Sequence, residues 1–303
     1  YGIEWQYNQR QDQSNYDEDV YMYEIHHSNA YGLYMQDEFK LNDSLSFIAG
    51  LRFDEYEDSE SSLNPRLAAI WNISDASTLK LLYGTAFRAP NVYELFSHDG
   101  DYSYKAPQSL DPETITTYEA VLEHRFHKDW RGTVSLFHYE IEDLILQQVD
   151  PDDDLLVFDN LGSVKSQGVT CELHGQLPNA LKTSLSYSYV DTCDGDTDRW
   201  MPNSPHHMIK AKVLAPLFDK RCYLAAETRY ESKRRTLTDN ATDDAIITDL
   251  TLTFDSPIDG LNLTGGVRNL FNVAYTHPGS GEHLQDEIPQ DGVTYFLSLS
   301  YSF

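Results

Sequence analysis

A two-residue rhythm runs through this chain almost from end to end, and it restricts the fold to sheets with one apolar and one polar face. Leu45, Phe47, Ala49, Leu51 and Phe53 alternate with Ser44, Ser46, Ile48, Gly50 and Arg52. Leu79, Leu81, Tyr83, Thr85 and Phe87 alternate with Lys80, Gly84, Ala86 and Arg88; Leu181, Leu185, Tyr187 and Tyr189 alternate with Ser184, Ser186 and Ser188. The final stretch is cleanest, with Val293, Tyr295, Leu297, Leu299, Tyr301 and Phe303 set against Thr294, Ser298, Ser300 and Ser302. No segment sustains a 3.6-residue period. The pattern predicts strands near 1–11, 30–42, 44–56, 63–73, 78–89, 115–127, 131–145, 164–177, 180–192, 205–217, 221–235, 245–254, 261–274 and 292–303. Several exceed the ~5–6 residues usual in globular sheets and meet the ~9–11 that a tilted membrane strand needs.

The connections sort by length. Tight turns are expected at Asn42-Asp43, 74–77, Lys128-Asp129, Pro178-Asn179, 218–220 and 255–260. Long loops are expected at 12–29, 90–114, 146–163, 193–204, 236–244 and 275–291, with a medium one at 57–62. Tight turns alternating with long loops organise outer-membrane barrels, turns on the periplasmic side and loops outside. A soluble sandwich has no reason to sort its connections this way. No apolar run approaches the ~18 residues of a transmembrane helix, so a membrane-spanning form must be a closed antiparallel β-barrel, which satisfies every backbone group in lipid. The negative mean hydropathy is no objection, because lipid-facing and lumen-facing residues cancel in the average.

Charge divides the molecule by end. The formal net charge is −27, from 49 Asp and Glu against 22 Lys and Arg. More than half of the acids fall in the long loops, where Lys105 and Arg199 are the basic residues. One rim is therefore acidic: solvated, attractive to cations, or bridged through divalent ions to anionic lipopolysaccharide. A pI near 4.5 argues against nucleic acid, which needs a basic footprint.

Short motifs then enter in a fixed order. They are Asn64-Pro65-Arg66-Leu67; Gly84-Thr85-Ala86-Phe87-Arg88-Ala89-Pro90 followed by Glu94-Leu95; and Leu110-Asp111-Pro112-Glu113 leading to Tyr118-Glu119. Asn160-Leu161-Gly162 with Gly168-Val169 comes next, then Val267-Arg268-Asn269-Leu270-Phe271-Asn272 with Tyr275, then the terminal Phe303. Together they resemble the C-terminal barrel region of TonB-dependent outer-membrane receptors, although Thr170 stands where that family usually has Glu. The resemblance implies an all-β transmembrane barrel of about 22 strands with a plugged lumen, of which residues 1–303 supply about 14 C-terminal strands. The N-terminal plug, its TonB box and the first strands are then expected outside this sequence. Tyr1-Gly2-Ile3-Glu4-Trp5, with no initiator Met and no leader pattern, reads as the middle of a strand. The resemblance further implies a bacterial outer-membrane location and uptake of a small-molecule metal chelate, most commonly a ferric siderophore, with cobalamin, haem or oligosaccharide as alternatives. Its implied partners are the TonB complex, the barrel-assembly machinery and outer-membrane lipid with lipopolysaccharide.

Individual residues are weighed against plainer roles. Pro65, Pro90 and Pro112 are expected at strand ends, where a missing N–H costs no ladder bond. Arg88 shares the polar face with Lys80 and Gly84, so it points into the lumen near the outer rim, to pair with loop acids or to meet an anionic ligand. Tyr93, Phe96, Tyr102 and Tyr104 are candidate ligand contacts, with loop packing as the alternative. Asn269 and Asn272 suit turn hydrogen bonding. Tyr295, Tyr301, Phe303 and Trp130 fit an interfacial aromatic girdle, and Tyr295, Tyr301 and Phe303 also form the barrel-assembly signal that the resemblance implies. Asp194, Asp196 and Asp198 have the 1,3,5 spacing of a Ca²⁺ loop but lack its glycine at position 6 and Glu at position 12; Asp150, Asp152, Asp153 and Asp154 form a second acidic run. No other cofactor is indicated. His26-His27 and His206-His207 cannot chelate one ion from a regular strand, whereas in a flexible loop His26 and His27 could join a haem or metal site. Cys171, Cys193 and Cys222 are expected at different heights up the wall, too far apart for a disulfide.

No Gly-x-Ser-x-Gly, His-Glu-x-x-His, P-loop or Cys-x-x-Cys pattern occurs, so the chain is read as a transporter and not an enzyme. Two other classes remain: a self-contained passive channel of fourteen strands, and an outer-membrane hydrolase with rim Asp, His or Ser.

Overall fold

The computed structural model describes residues 1–14, 22–218, 221–256 and 258–303. The connections expected at 12–29, 218–220 and 255–260 fall partly on 15–21, 219–220 and 257, outside the described residues. Strands β1 (Gly2–Ser14), β2 (Tyr23–Lys40), β3 (Leu45–Tyr56), β4 (Ser59–Ser74) and β5 (Ser77–Arg88) precede a short helix α1 (Val92–Phe96). After β6 (Glu113–His127) and β7 (Trp130–Glu142) comes a small separate hairpin, β8 (Ile145–Val149) and β9 (Leu156–Asn160). Then follow β10 (Val164–Gln176), β11 (Lys182–Asp194), β12 (His207–Leu217), β13 (Cys222–Glu231), β14 (Ala245–Asp255) and β15 (Leu261–Arg268). A second small hairpin, β16 (Thr276–Pro278) and β17 (Glu287–Pro289), precedes β18 (Thr294–Tyr301). Omitting the two small hairpins, fourteen strands form one antiparallel meander in chain order, with β1 and β18 as its edges.

The register carries the two-residue rhythm across the whole sheet. Phe47, Ala69, Leu81, Ala120, Leu136, Val169 and Tyr189 stand opposite one another in a continuous row. One residue along, Ser46, Ile70, Lys80, Val121, Ser135, Thr170 and Ser188 make the matching row on the other face. The first face is left open to its surroundings: Leu136 is 54% exposed and Leu297 76%. Soluble proteins do not leave an apolar belt of this extent uncovered, and hydrocarbon is the solvent that suits it. The other face carries ion pairs such as Lys80–Glu123 at 2.7 Å and Arg52–Asp54 at 2.7 Å. Buried apolar residues among those described are few, and Leu110, Ile145 and Val157 among them lie in or beside the loops.

Several expected boundaries move. The medium loop at 57–62 is a tight turn, because β3 and β4 stay paired up to Tyr56 and Ser59. The loop at 12–29 is likewise largely ladder, with Gln11 opposite His26 and Ser14 opposite Tyr23. Ser59–Ser62 and Gln9–Ser14 are polar on both sides, since strand above the membrane need not alternate. His26 and His27 therefore sit in a strand, not in a flexible loop. Pro65 lies inside β4, opposite Leu51. Pairing of β4 with β5 begins only at Arg66, so a missing N–H on that side costs nothing. Pro90 and Pro112 do flank strands as expected, just after β5 and just before β6.

Gly168 is fixed by space. A Cβ there would lie 2.2 Å from the Tyr189 carbonyl oxygen and 2.7 Å from the Phe137 ring. Asn269 ends β15 with a positive φ of 49°. Its amide donates to the Val273 carbonyl at 2.9 Å and its oxygen accepts from the Val273 N–H at 2.9 Å, the turn role expected of it. The three cysteines are unpaired, Cys171 exposed and Cys222 buried, on separate strands β10, β11 and β13. Trp130 covers Gly175 at the turn end of the apolar face.

Candidate functional site at the loop end

The motif residues that are scattered along the sequence meet at the end of the sheet carrying the long loops. Arg88, the last residue of β5, donates to both oxygens of Glu113 at 2.6 and 2.7 Å and to Glu94 at 2.8 Å. Glu94 sits in the first turn of α1, where a reciprocal capping box with Asn91 starts the helix: Glu94 N–H donates to Asn91 at 3.0 Å, and Asn91 N–H to Glu94 at 2.8 Å. Glu113 in turn accepts the Ile145 N–H at 2.9 Å. Asn160 closes the arrangement, its amide donating to the carbonyls of Asp111 at 2.9 Å and Asp143 at 2.7 Å while its oxygen accepts from Asp111 N–H at 2.7 Å. Arg88 thus acts as the hub of a clamp joining two loops, which is the pairing role expected of it.

The clamp presents the predicted aromatic residues differently. Phe96 is stacked on His26 with ring centroids 4.0 Å apart. Tyr93 meets Phe158 edge-on at 5.8 Å, and Tyr104 bridges to Leu156. Asp99 holds this loop by accepting the N–H groups of Tyr102, Ser103 and Tyr104 at 2.9–3.1 Å. Tyr93 and Tyr102 stay exposed; Phe96 and Tyr104 serve packing.

Beside the clamp the inner wall encloses a cleft of about 460 Å³. Its lining joins Tyr56 and Phe87, edge-on at 5.6 Å, with Arg52, Asp54, Asp58 and Arg88. Asp54 is 3% exposed and held by Arg52, which also reaches Glu4 at 2.7 Å. Burial, reinforced by repulsion from Glu57, pushes the Asp58 carboxyl above its usual range. Such a site offers two aromatic walls, hydrogen-bond donors and acceptors, and guanidinium charge already balanced by carboxylates. Arg52 and Asp54 were not singled out from the sequence; their spacing of two on a lumen face was the available signal.

The acidic runs are held by contacts within their own loops. Asp194 spends one oxygen on the Thr197 hydroxyl at 2.7 Å and the Thr197 N–H at 2.8 Å, interactions that lower its pKa. Arg199 turns to Asp239 at 2.7 Å. Among the described residues no group of three His, Cys, Asp or Glu side chains is placed to hold a metal ion. In the second run, Lys105 joins Asp150 and Asp153 at 2.7 Å each, and its hydrogen bond lowers the Asp150 pKa. A depressed carboxyl stabilises the folded loop above its ordinary pKa and loses that contribution as pH falls. Hydrogen exchange in 99–112 is therefore expected to be flat from pH 7 to about 5 and to accelerate below about 4, relative to intrinsic rates. A Lys105→Met variant is expected to show a smaller acid-side step, the remainder coming from Asp99, whose bonds to the Tyr102, Ser103 and Tyr104 N–H groups lower its pKa. The histidines point to separate partners: His206 stacks on Trp200 at 4.5 Å, and His207 bonds the Tyr187 hydroxyl at 3.0 Å.

The model of the family described as TonB dependent receptor-like, beta-barrel, matches residues 1–270. An iron-regulated outer membrane virulence protein of Vibrio cholerae is 22% identical over 294 residues, covering 89% of this chain and 44% of that protein. The ferric enterobactin receptor of Pseudomonas aeruginosa superposes with a TM-score of 0.78 at 19% identity, over 93% of this chain and 46% of that one. The siderophore receptor PirA of Acinetobacter baumannii gives a TM-score of 0.75 at 17% identity, over 91% and 46%. The chain thus spans less than half the length of the relatives it matches.

Proposed function

Because the chain belongs to the TonB-dependent receptor β-barrel family, we propose that it is the C-terminal barrel part of a receptor that takes up a ferric siderophore. Its place is the bacterial outer membrane. The observation that carries the reading is the loop-end clamp, which sets exposed aromatic side chains and a 460 Å³ cleft where a chelate arriving from outside enters the lumen. The names of the relatives point the same way: an iron-regulated protein, a ferric enterobactin receptor and a siderophore receptor. Arg88, Tyr93 and Tyr102 are the proposed rim contacts, with Phe96 and Tyr104 supporting them. TonB engages an N-terminal plug, and lipopolysaccharide surrounds the outer rim. Tyr295, Tyr301 and Phe303 serve recognition by the barrel-assembly machinery. A self-contained channel fits less well, since β1 and β18 are edges and do not pair with each other.

The test is uptake of ⁵⁵Fe-loaded siderophores by cells whose only iron-chelate receptor is the full-length protein. Accumulation is expected for at least one ferric siderophore and is expected to vanish without TonB. Solute passage independent of TonB, or uptake of cobalamin or haem alone, refutes the assignment.

A further inference from the structure

The last long loop, which carries the β16–β17 hairpin, is tied down at both ends. Near its tip, Asp286 accepts from the Thr236 hydroxyl at 2.9 Å and from the Asn240 amide at 3.0 Å, which joins it to the 236–244 loop. At its base, the Asn269 amide donates to the carbonyls of Val273 and Asp291. Between these ties lies His277, on β16 and opposite Ile288 of β17. Its ring meets Tyr275 edge-on at 5.6 Å. The side chain as a whole is 36% exposed, yet its Nε2 is buried and has no hydrogen-bond partner. This chain's own atoms close off that nitrogen, so anything beyond the chain reaches it only if the hairpin moves.

The charged groups around the ring come from four elements. Glu231, the last residue of β13, lies 3.9 Å from Nε2, beyond hydrogen-bond reach. It is already held by Arg234 at 2.5 Å and approached by Arg229 at 3.6 Å. Arg229 is shared in turn with Asp249 of β14 and the Tyr275 hydroxyl, at 3.4 Å each. On β17, Glu287 beside Ile288 accepts from the Thr276 hydroxyl. A neutral ring suits this setting, because an unprotonated Nε2 buries only a lone pair. An imidazolium would place an N–H where no acceptor is in reach and a charge beside two guanidiniums. Burial, and then the charge of Arg234, accordingly hold the His277 pKa below its usual range against the pull of Glu231.

We infer that His277 is an acid-released catch: once protonated it no longer fits against Glu231, Arg234 and Arg229, and the β16–β17 hairpin loosens from β13. A docked ring that resists the proton contributes its full stability above the free imidazole range, near 6.5. That contribution is lost as pH falls below it, because the released ring binds the proton more readily. The Asp286 carboxyl is held low by Asn240 and its neighbours, so the tip contact persists through this window and yields only in stronger acid. The inference rests on the receptor reading only in placing this hairpin outside the membrane, and it holds whatever the cargo.

The experiment uses full-length receptor folded in detergent. Amide hydrogen exchange across 275–291, relative to intrinsic rates, is expected to accelerate at least about threefold from pH 7.5 to pH 5.5. Exchange of the histidine C2 hydrogen, read by mass spectrometry, is expected to titrate His277 with a midpoint below 6.5. His277→Gln is expected to abolish the acceleration, with its heat-dependent gel shift unchanged. His283→Gln is expected to keep it, since His283 bonds Ser280 at 2.7 Å within its own turn. An acceleration that persists in His277→Gln, or that vanishes in His283→Gln, overturns the proposal. Should His277→Gln not assemble, the parent decides: a His277 midpoint at or above 6.5 overturns the proposal and a lower one supports it. Failure of siderophore uptake with the acid step intact removes the receptor reading alone.

Discussion

An Arg88→Ala variant is expected to keep its barrel and lose its loop-end clamp. Arg88 makes three charge-assisted hydrogen bonds, two to Glu113 and one to Glu94. The acids are mostly enclosed, with side chains 16% and 12% exposed. Removing the guanidinium leaves two carboxylates facing each other with their remaining bonds to the Ile145 and Asn91 N–H groups. Hydrogen bonds to charged groups are worth ~1.5–3 kcal/mol. Arg88 is 43% exposed, so solvent screening reduces that, and about 2 kcal/mol for the clamp as a whole is a fair expectation. That corresponds to a rise of about thirtyfold in the population of the opened loop. The β-ladder does not pass through this residue's side chain, so global unfolding should barely move. Limited proteolysis of folded, membrane-embedded receptor reads the difference: cleavage within 90–112 and at the β8–β9 hairpin should accelerate about thirtyfold. Arg88→Lys should fall between, since an ammonium keeps the charge and loses the two-pronged geometry. Unchanged protection in Arg88→Ala would remove the clamp from the account.

The fold was largely legible because lipid imposes a demanding pattern. Within the membrane belt each strand must alternate, and the fourteen strands of the sheet are those whose alternation appears in the sequence. Outside the belt that demand ends. The upper part of β1 and the start of β4 are hydrogen-bonded ladder made from polar residues, with nothing in their composition to separate them from loop, and the hairpin strands of three to five residues are too short to show a period. Helix α1 is a different case. Its five residues are too few to show a period, yet Asn91 and Glu94, three apart behind Pro90, are a capping signature that could have marked it. The site was half legible. Arg88 could be placed on the lumen face by parity, but its choice of Glu94 and Glu113 depends on how two loops fold back over the rim. The acidic run at 194–198 is a related case: spacing alone does not say where carboxylates turn, and one oxygen of Asp194 is engaged by Thr197.

A charge placed on either face of β7 separates the membrane reading from every soluble alternative. Leu136 lies mid-strand on the apolar face between Ala120 and Val169, and Ser135 lies on the other face between Val121 and Thr170. In a globular sheet the two positions differ by ordinary burial, and Leu136, already 54% exposed, should accept lysine with a cost of a few tenths of a kcal/mol. In a bilayer the ammonium at Leu136 faces hydrocarbon, at a cost of ~2–4 kcal/mol near the midplane, while Ser135→Lys projects into a polar lumen. Denaturant unfolding of full-length receptor in phospholipid vesicles should therefore show Leu136→Lys destabilised by about 3 kcal/mol and Ser135→Lys by less than about 1. The same order should appear in cells as outer-membrane abundance. Residues 135 and 136 are adjacent, so strand propensity, assembly order and distance from the loops are shared, and the difference isolates the face. If Ser135→Lys proves the more damaging of the two, the apolar belt does not face lipid, and the lumen with its clamp loses its meaning.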